Sequence, residues 1–343
     1  MRFAFTEEQD SSRRMLRDLL ARACTPDQVR AAFTGSSSVS SPLWQQLSEF
    51  GLVGVLVSAD HGGLGLGPIE LAALLEECGR AAVPEPVLET SAVSVPLLSL
   101  WRSDSRVAPW LERMTDGSAL VLTALEAVPY VNGADRADAL IVQRGDAAYL
   151  AARSEVELVP QASVDGARRL FRVSFRAPQD PCIARGPDVL RAFAGAFDRG
   201  ALAAAAELVG LAARIVEMAI EHAKTRQQFG QPIGAFQAVK HHLVDAHLGI
   251  TFARPLVYRA AHSLAHEDPH SAWHISAAKA AASDAAWRAT RKALQVHGAI
   301  GYSHEHDLHL WMKRVWALAA EWGDAAWHRN RVANAILGDP PNE

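Results

Sequence analysis

The chain is poor in cysteine. It has three, Cys24, Cys78 and Cys182, far apart and in no C-x-x-C pair. So few, scattered and odd in number, they exclude a disulfide-stapled miniprotein and a thiolate metal or redox motif. They read as small core residues in a reducing compartment. Neither charge dominates: 34 basic against 38 acidic residues leave a net charge of −4, which argues against a dedicated nucleic-acid binder. Long apolar runs are missing as well. Even the alanine-rich stretch from Ala201 is broken by Glu207, Arg214 and Glu217, so no membrane span is expected. Glu7 and Glu8 interrupt the opening residues before any apolar signal region can form, and the expected location is cytoplasmic. There is no repeat of fixed period and no G-x-S-x-G elbow. The one glycine cluster, His61-Gly62-Gly63-Leu64-Gly65-Leu66-Gly67, lacks the Lys-Ser/Thr of a phosphate loop. It reads as a tight connector ahead of a helix at Pro68–Arg80.

What is present is 343 residues, 49% hydrophobic and 21% charged, enough to bury the core of two or three packed units. Three textures follow one another. Residues 1–118 are helical in pattern. Thr6 ahead of Glu8 and Gln9 resembles a capped helix start, Met15, Leu16, Leu19 and Leu20 recur on one face, Thr34–Pro42 is a serine-rich loop, and Leu43–Phe50 is a short helix stopped by Gly51. Residues 119–185 carry short β-type runs at Ala119–Ala124, Ala139–Arg144, Ala147–Ala152 and Leu170–Phe175, separated by Gly and Asp turns. Residues 186–343 are helical again, with helices expected over Val189–Thr225, Phe236–His266, Ser271–His297 and Asp307–Ile336. Four long helices with short links imply an antiparallel bundle. The predicted class is therefore mainly α with a small middle β domain. It is not the strand–helix alternation of a nucleotide-binding α/β fold.

Two stretches carry chemistry. Arg226-Gln227-Gln228-Phe229-Gly230-Gln231-Pro232-Ile233, followed by Phe236-Gln237, sits between two bundle helices. It offers a guanidinium fork suited to phosphate oxygens, an aromatic ring and amides, with glycines that allow close approach. A solvated helix–turn–helix corner explains the same residues equally well. Gln295-Val296-His297-Gly298-Ala299-Ile300-Gly301-Tyr302 ends the next helix but one. It can receive a diphosphate, or it is a glycine-capped helix end.

Taken together, and in this order, these stretches resemble the acyl-CoA dehydrogenase family. Phe5-Thr6-Glu7-Glu8-Gln9, His61–Gly65 and Glu76-Glu77-Cys78-Gly79-Arg80 resemble its first-domain pattern, Arg226–Gly230 with Phe236-Gln237 one family signature, and Gln295–Tyr302 the other. The resemblance implies an N-terminal helical domain, a middle β domain and a C-terminal four-helix bundle. It implies FAD as cofactor, an acyl-CoA thioester as substrate, α,β-dehydrogenation as the reaction and an electron-accepting flavoprotein as partner. In the family these two signatures reach a neighbouring subunit's FAD. The expected cofactor-binding set is therefore Arg226, Gln228, Phe229, Gln237, Gln295, Val296, His297, Gly298 and Ala299.

The sequence departs from the family where catalysis belongs. The tetrapeptide that carries the family's glutamate base falls, without a gap, on Glu321-Trp322-Gly323-Asp324, which puts Trp322 at the base position and Asp324 where a threonine touches flavin. Glu321, one residue away, would point about 100° aside on a helix. The alternative base position, early in the first bundle helix, is Gly200 beside Ala201, and Glu207 lies two turns further on. The middle β domain looks shortened beside that of the family, and its flavin-binding segment has no clear counterpart in Leu122–Tyr130. No catalytic residue is assigned. The resemblance is then to the base-lacking subunit of an α2β2 heterotetramer, with a self-sufficient homo-oligomer using Glu321, or a non-catalytic acyl-binding scaffold, as the other readings. The 14 histidines include His241, His242 and His247 on one helix and His304, His306 and His309 after Gly301; His241 with Asp245 reads as a surface pair, clustered histidines alone do not make a zinc site, and no metal site is assigned.

Overall fold

A computed structural model describes residues 4–35, 42–176 and 182–338. Most of the serine-rich loop expected over Thr34–Pro42 lies outside them. The chain is mainly helical with a small β region, as expected. The helices are α1 (Glu7–Ala23), α2 (Pro26–Phe33), α3 (Pro42–Glu49), α4 (Pro68–Ala81), α5 (Val95–Leu100) and α6 (Ala108–Thr115). The strands β1 (Val121–Ala124), β2 (Val131–Asn132), β3 (Ala139–Arg144), β4 (Ala147–Ala152), β5 (Val156–Gln161), β6 (Leu170–Phe175) and β7 (Ala184–Arg185) follow. Then come α7 (Pro187–Thr225), the small strands β8 (Gln227–Gln228) and β9 (Gln231–Pro232), and α8 (Gln237–Ala265), α9 (Ser271–His297), α10 (Leu308–Ala320) and α11 (Ala325–Leu337).

The chain divides into two compact units. One comprises Met1–Arg30, Ala72–Val83 and Ala204–Glu343. Its first helix begins as the sequence suggests: the Thr6 hydroxyl accepts from the Gln9 amide while Gln9 Oε1 accepts from the Thr6 amide, a reciprocal cap that satisfies two orphan donors. Leu16 and Leu20 turn inward. Arg13 and Arg17 both reach the buried carboxylate of Glu77, at 3.1 and 2.7 Å. Its neighbour Glu76 accepts from Arg254 Nε at 3.0 Å and from the Tyr258 hydroxyl. These bonds tie α1, α4 and α8 together. Helices α8 and α9 run antiparallel, as the pairs Asp245–Lys292 and Ser263–His274 require. The close approach of α4 to α7 depends on glycine: a Cβ on Gly79 would stand 2.1 Å from the Glu207 carbonyl, and one on Gly210 would stand 1.9 Å from that of Glu76.

The second unit comprises Ala31–Leu71 and Pro84–Ala203. One sheet has the order β1-β3-β4-β7, with β1 parallel to β3 (Val121 beside Ala139) and the rest antiparallel. A second has the order β2-β6-β5. Strand β5 escaped the sequence reading because its Glu157, Pro160 and Gln161 dilute the apolar signal. It is an edge strand, where proline and polar residues are tolerated. A buried π-turn, Leu88–Ser94, holds Glu89 against Arg168 at 2.8 Å and Asn132 at 3.1 Å. The glycine cluster is a connector. The amides of Gly63, Leu64, Gly65 and Leu66 donate to the carbonyls of Ser58, Gly54, Val57 and Val55, which leaves none of the four to cradle a phosphate.

The helix expected over Asp307–Ile336 is in fact two. α10 ends at Ala320, Glu321 turns extended, Trp322 and Gly323 take left-handed φ values of +58° and +84°, and Asp324 caps α11 by accepting from the Trp327 amide at 2.8 Å. A tryptophan does not usually hold such a conformation, and hydropathy alone carried the expected helix across it.

The two glycine environments on α7 make opposite predictions. Gly210→Ala should destabilise by on the order of 1–3 kcal/mol, because backbone must move to admit the methyl. Gly195→Ala, with open space around it, should stabilise by about 0.5–1 kcal/mol. Thermal unfolding of the two variants checks this, with midpoints moving to opposite sides of the parent.

Candidate functional site

The first signature forms a miniature hairpin. α7 stops at Thr225, whose hydroxyl turns back to the Glu221 carbonyl. β8 and β9 then pair, Gln227 beside Pro232 and Gln228 beside Gln231. Their two-residue turn is Phe229-Gly230, with φ +53° and +77°. Positive φ at both positions defines the turn type that matches strand twist, in which Asn or Gly normally stands first. Here a phenylalanine stands first, 91% exposed, its ring edge-to-face with that of Phe236 at 6.0 Å between centroids. An aromatic ring held in a strained conformation and turned into water is the kind of outlier that marks a functional position. Arg226, also exposed, makes no ion pair among the described residues, and Gln228 is exposed as well. Gln237 opens α8 and is exposed.

The second signature lies beside the first. The His222 ring, one turn before Arg226, stacks on the His297 ring at 4.4 Å. This brings the ends of α7 and α9 together. Gln295, Gly298 and Ala299 are exposed, whereas Val296 and His297 are buried. Val296 and His297 can therefore offer a surface ligand only backbone, and their side chains belong to the core. Gln295 also stands on the wall of an open groove of about 980 Å³ along α9. Arg288, Arg291, Lys292 and Arg329 line it against Asp284 and Asp324. Arg329 is spent on Asp284 and Lys292 on Asp245, so Arg288 and Arg291 give the groove its cationic surplus.

The position at which the sequence placed the family's base is closed. Trp322 is 4% exposed, and the turn that carries it is held from beneath by a lysine the sequence reading missed. Lys279, fully buried on α9, donates to the carbonyls of Ala319 at 3.1 Å and Gly323 at 3.0 Å, with Ser283 Oγ at 3.4 Å. Burial pulls its pKa down to about 8, and the nearby Glu321 and Asp324 charges oppose that shift. His328, also fully buried, donates through Nε2 to the Trp322 carbonyl at 2.8 Å. A Cβ on Gly323 would lie 2.9 Å from that ring nitrogen. Asp324, expected beside flavin phosphates, is engaged as the α11 cap. At the other base position Gly200 and Ala201 are buried and have no ionisable group, and Glu207 is buried on α7. A lone lysine in the alanine run Ala277–Ala282 was the available signal for Lys279.

Two family models match the chain: acyl-CoA dehydrogenase, N-terminal domain, over residues 6–118, and acyl-CoA dehydrogenase, C-terminal domain, over residues 190–337. The acyl-CoA dehydrogenase IpdE2 of Mycobacterium tuberculosis is 34% identical over 90% of this chain and 91% of its own. Among solved structures, a steroid ACAD variant, Tcur3481-Tcur3483, is similar with a TM-score of 0.85 and 24% identity over 96% of this chain and 98% of that one. The ChsE4-ChsE5 complex from Mycobacterium tuberculosis gives a TM-score of 0.88 at 22% identity, covering 99% of this chain and 100% of that one. The chain belongs to the acyl-CoA dehydrogenase family, whose members are flavoprotein oxidoreductases of lipid metabolism.

Two buried rings make stability pH-dependent. Burial lowers His297 and His328 from 6.5 to about 4 each. Between these values the unfolded chain binds protons that the folded chain refuses, so folding stability falls as pH drops from about 6.5 to about 4 and returns as it rises. Urea midpoints across that range should show the slope. His328→Gln, which keeps a donor for the Trp322 carbonyl, should flatten it.

Proposed function

We propose that this chain is the base-lacking subunit of a heteromeric acyl-CoA dehydrogenase, completing the FAD site of a homologous catalytic subunit. One contrast carries the reading. The Arg226–Phe229 hairpin stands exposed and strained, with nothing of its own to bind, while the position of the family's base is a buried tryptophan in a locked turn. A residue set useful only to a neighbour has been kept, and a residue set useful only to itself has been replaced.

The residues present fit the diphosphate end of FAD. Arg226 presents an uncommitted guanidinium, Phe229 a ring face, and Gln228, Gln237 and Gln295 exposed amides, with Gly298 and Ala299 allowing backbone approach. They do not fit the reacting end, where Trp322 takes no proton and Asp324 is engaged as a cap. FAD, when bound, supplies the hydride acceptor. The carboxylate that removes the α-proton of the acyl-CoA comes, in this reading, from the partner. Glu321 is a poor substitute, since it turns extended at the end of α10 and faces the Lys279 charge. Helix α8 exposes Val244, Leu248, Phe252 and Leu256 at four-residue spacing, an apolar stripe of the sort that subunit interfaces cover. That one mycobacterial neighbour of the same fold was solved as a complex, ChsE4-ChsE5, supports a paired arrangement. The three-part division 1–118, 119–185 and 186–343, an electron-accepting flavoprotein as the acceptor and a cytoplasmic location complete the proposal. No described helix is long and apolar enough to cross a membrane.

The test is a visible absorption spectrum of the purified chain, alone and co-expressed with a homologous subunit that bears the glutamate. The expected result is a colourless, inactive chain that yields a yellow, active complex. Flavin bands with dehydrogenase turnover from the chain alone would overturn it. In the complex, Arg226→Ala should weaken flavin retention about tenfold or more, the loss of a charge-assisted hydrogen bond of about 1.5–3 kcal/mol.

A further inference from the structure

Three histidines that the sequence leaves apart meet behind the signature segments. His222 ends α7, His297 ends α9, and His306 follows the 3-10 turn Gly298–Tyr302. Each presents a ring nitrogen, and the three nitrogens lie within 4.8 Å of one another. The rings of His297 and His306 meet edge to face at 4.7 Å. The geometry points to a transition-metal site, of the zinc class, formed by His222, His297 and His306.

His297 carries most of the argument. It is 6% exposed, and its Nδ1 donates to the Ala293 carbonyl at 2.8 Å. That bond fixes the tautomer: Nε2 is left with its lone pair, and it is buried without a hydrogen-bond partner. A backbone carbonyl on one ring nitrogen and an open lone pair on the other is the usual arrangement of a metal-ligating histidine. An orphaned buried acceptor costs about 1–3 kcal/mol, so a role that uses it has a physical motive.

His222 and His306 are half-buried, so their torsions can close the remaining gap. Nitrogens about 2.0–2.1 Å from a tetrahedral zinc stand about 3.4 Å apart. The His222 ring, now stacked at 24° on His297, must swing to face the same point. His306 Nδ1 accepts from the Leu308 amide at 3.1 Å. If it ligates through Nδ1 it gives up that bond, at an amide in the first turn of α10 that water can serve, and this lowers the affinity. Imidazole ligands suit zinc, nickel and copper, and zinc imposes the least geometry of its own. The fourth position would open to water on the half-buried side. Arg226 is the charged neighbour of His222 and is exposed, free to turn away. A bound ion would tie the end of α7 to the α9–α10 link, directly behind Arg226 and Gln295. The assignment does not depend on the partner reading.

The experiment uses the full chain, stripped with a chelator and dialysed against zinc chloride, with bound metal measured by plasma mass spectrometry. The expected result is one zinc retained per chain in the parent and in a His241→Gln control, with that zinc lost in His222→Gln. Zinc loading should also raise the melting midpoint of the parent and leave that of His222→Gln unmoved. His222 is half-buried, so its replacement leaves the core intact, and circular dichroism verifies the fold. No retained zinc in the parent, or equal zinc in the parent and in His222→Gln, overturns the assignment.

Discussion

An ammonium ion sealed from water sets the course of the chain around Trp322. Lys279 has no solvent and satisfies its protons on the Ala319 and Gly323 carbonyls and the Ser283 hydroxyl. Those two carbonyls flank Trp322, the residue on which the sequence resemblance placed the family's base. The lysine therefore sets the path of the chain through Trp322: the helix must end, two residues must go left-handed, and Asp324 must restart it. His328 closes the same turn from the other side by donating to the Trp322 carbonyl. A turn fixed by two buried donors is a structural joint. Its tryptophan fills core.

The signature hairpin obeys the opposite logic. Its backbone is well determined by the β8–β9 pairing and the two positive φ angles, yet its side chains face solvent. Rigid scaffold and unused side chains together describe a recognition element, since pre-ordering reduces the entropy lost on binding. The two features belong to one design. In the proposed reading the hairpin serves a partner subunit's flavin and the Trp322 turn leaves the base to that partner.

The order of elements was legible because each depends on local signals. Thr6 and Gln9 announced the first helix, Gly145 the turn between β3 and β4, and Gly230 the break after α7, although not the hairpin formed there. The family signatures were legible as strings of residue types. What escaped was set by distant partners. Trp322 carries a strong helical signal until Lys279, more than 40 residues earlier, demands its neighbours' carbonyls. β5 is polar and survives as a strand because β6 pairs with it along its whole length. Val296 and His297 sit within a signature that looks like surface, yet one lines the core and the other turns toward His222. Histidines grouped by sequence also regroup in space: His306 leaves His304 and His309 to join a pair from other helices.

The division of the chain also orders its own biosynthesis. The unit that carries both signatures is assembled from three separated stretches, Met1–Arg30, Ala72–Val83 and Ala204–Glu343. On the ribosome Arg13 and Arg17 can reach Glu77 early, but Glu76 must wait for Arg254 and Tyr258. Until those residues emerge, Glu76 has only Arg13 of its eventual partners. The β-bearing unit, drawn from Ala31–Leu71 and Pro84–Ala203, is complete long before that. Domains generally fold as their residues become available. The part of this protein that makes it recognisable is thus the last to exist, and a chain shortened at its C-terminus would keep the sheet while losing the signature segments.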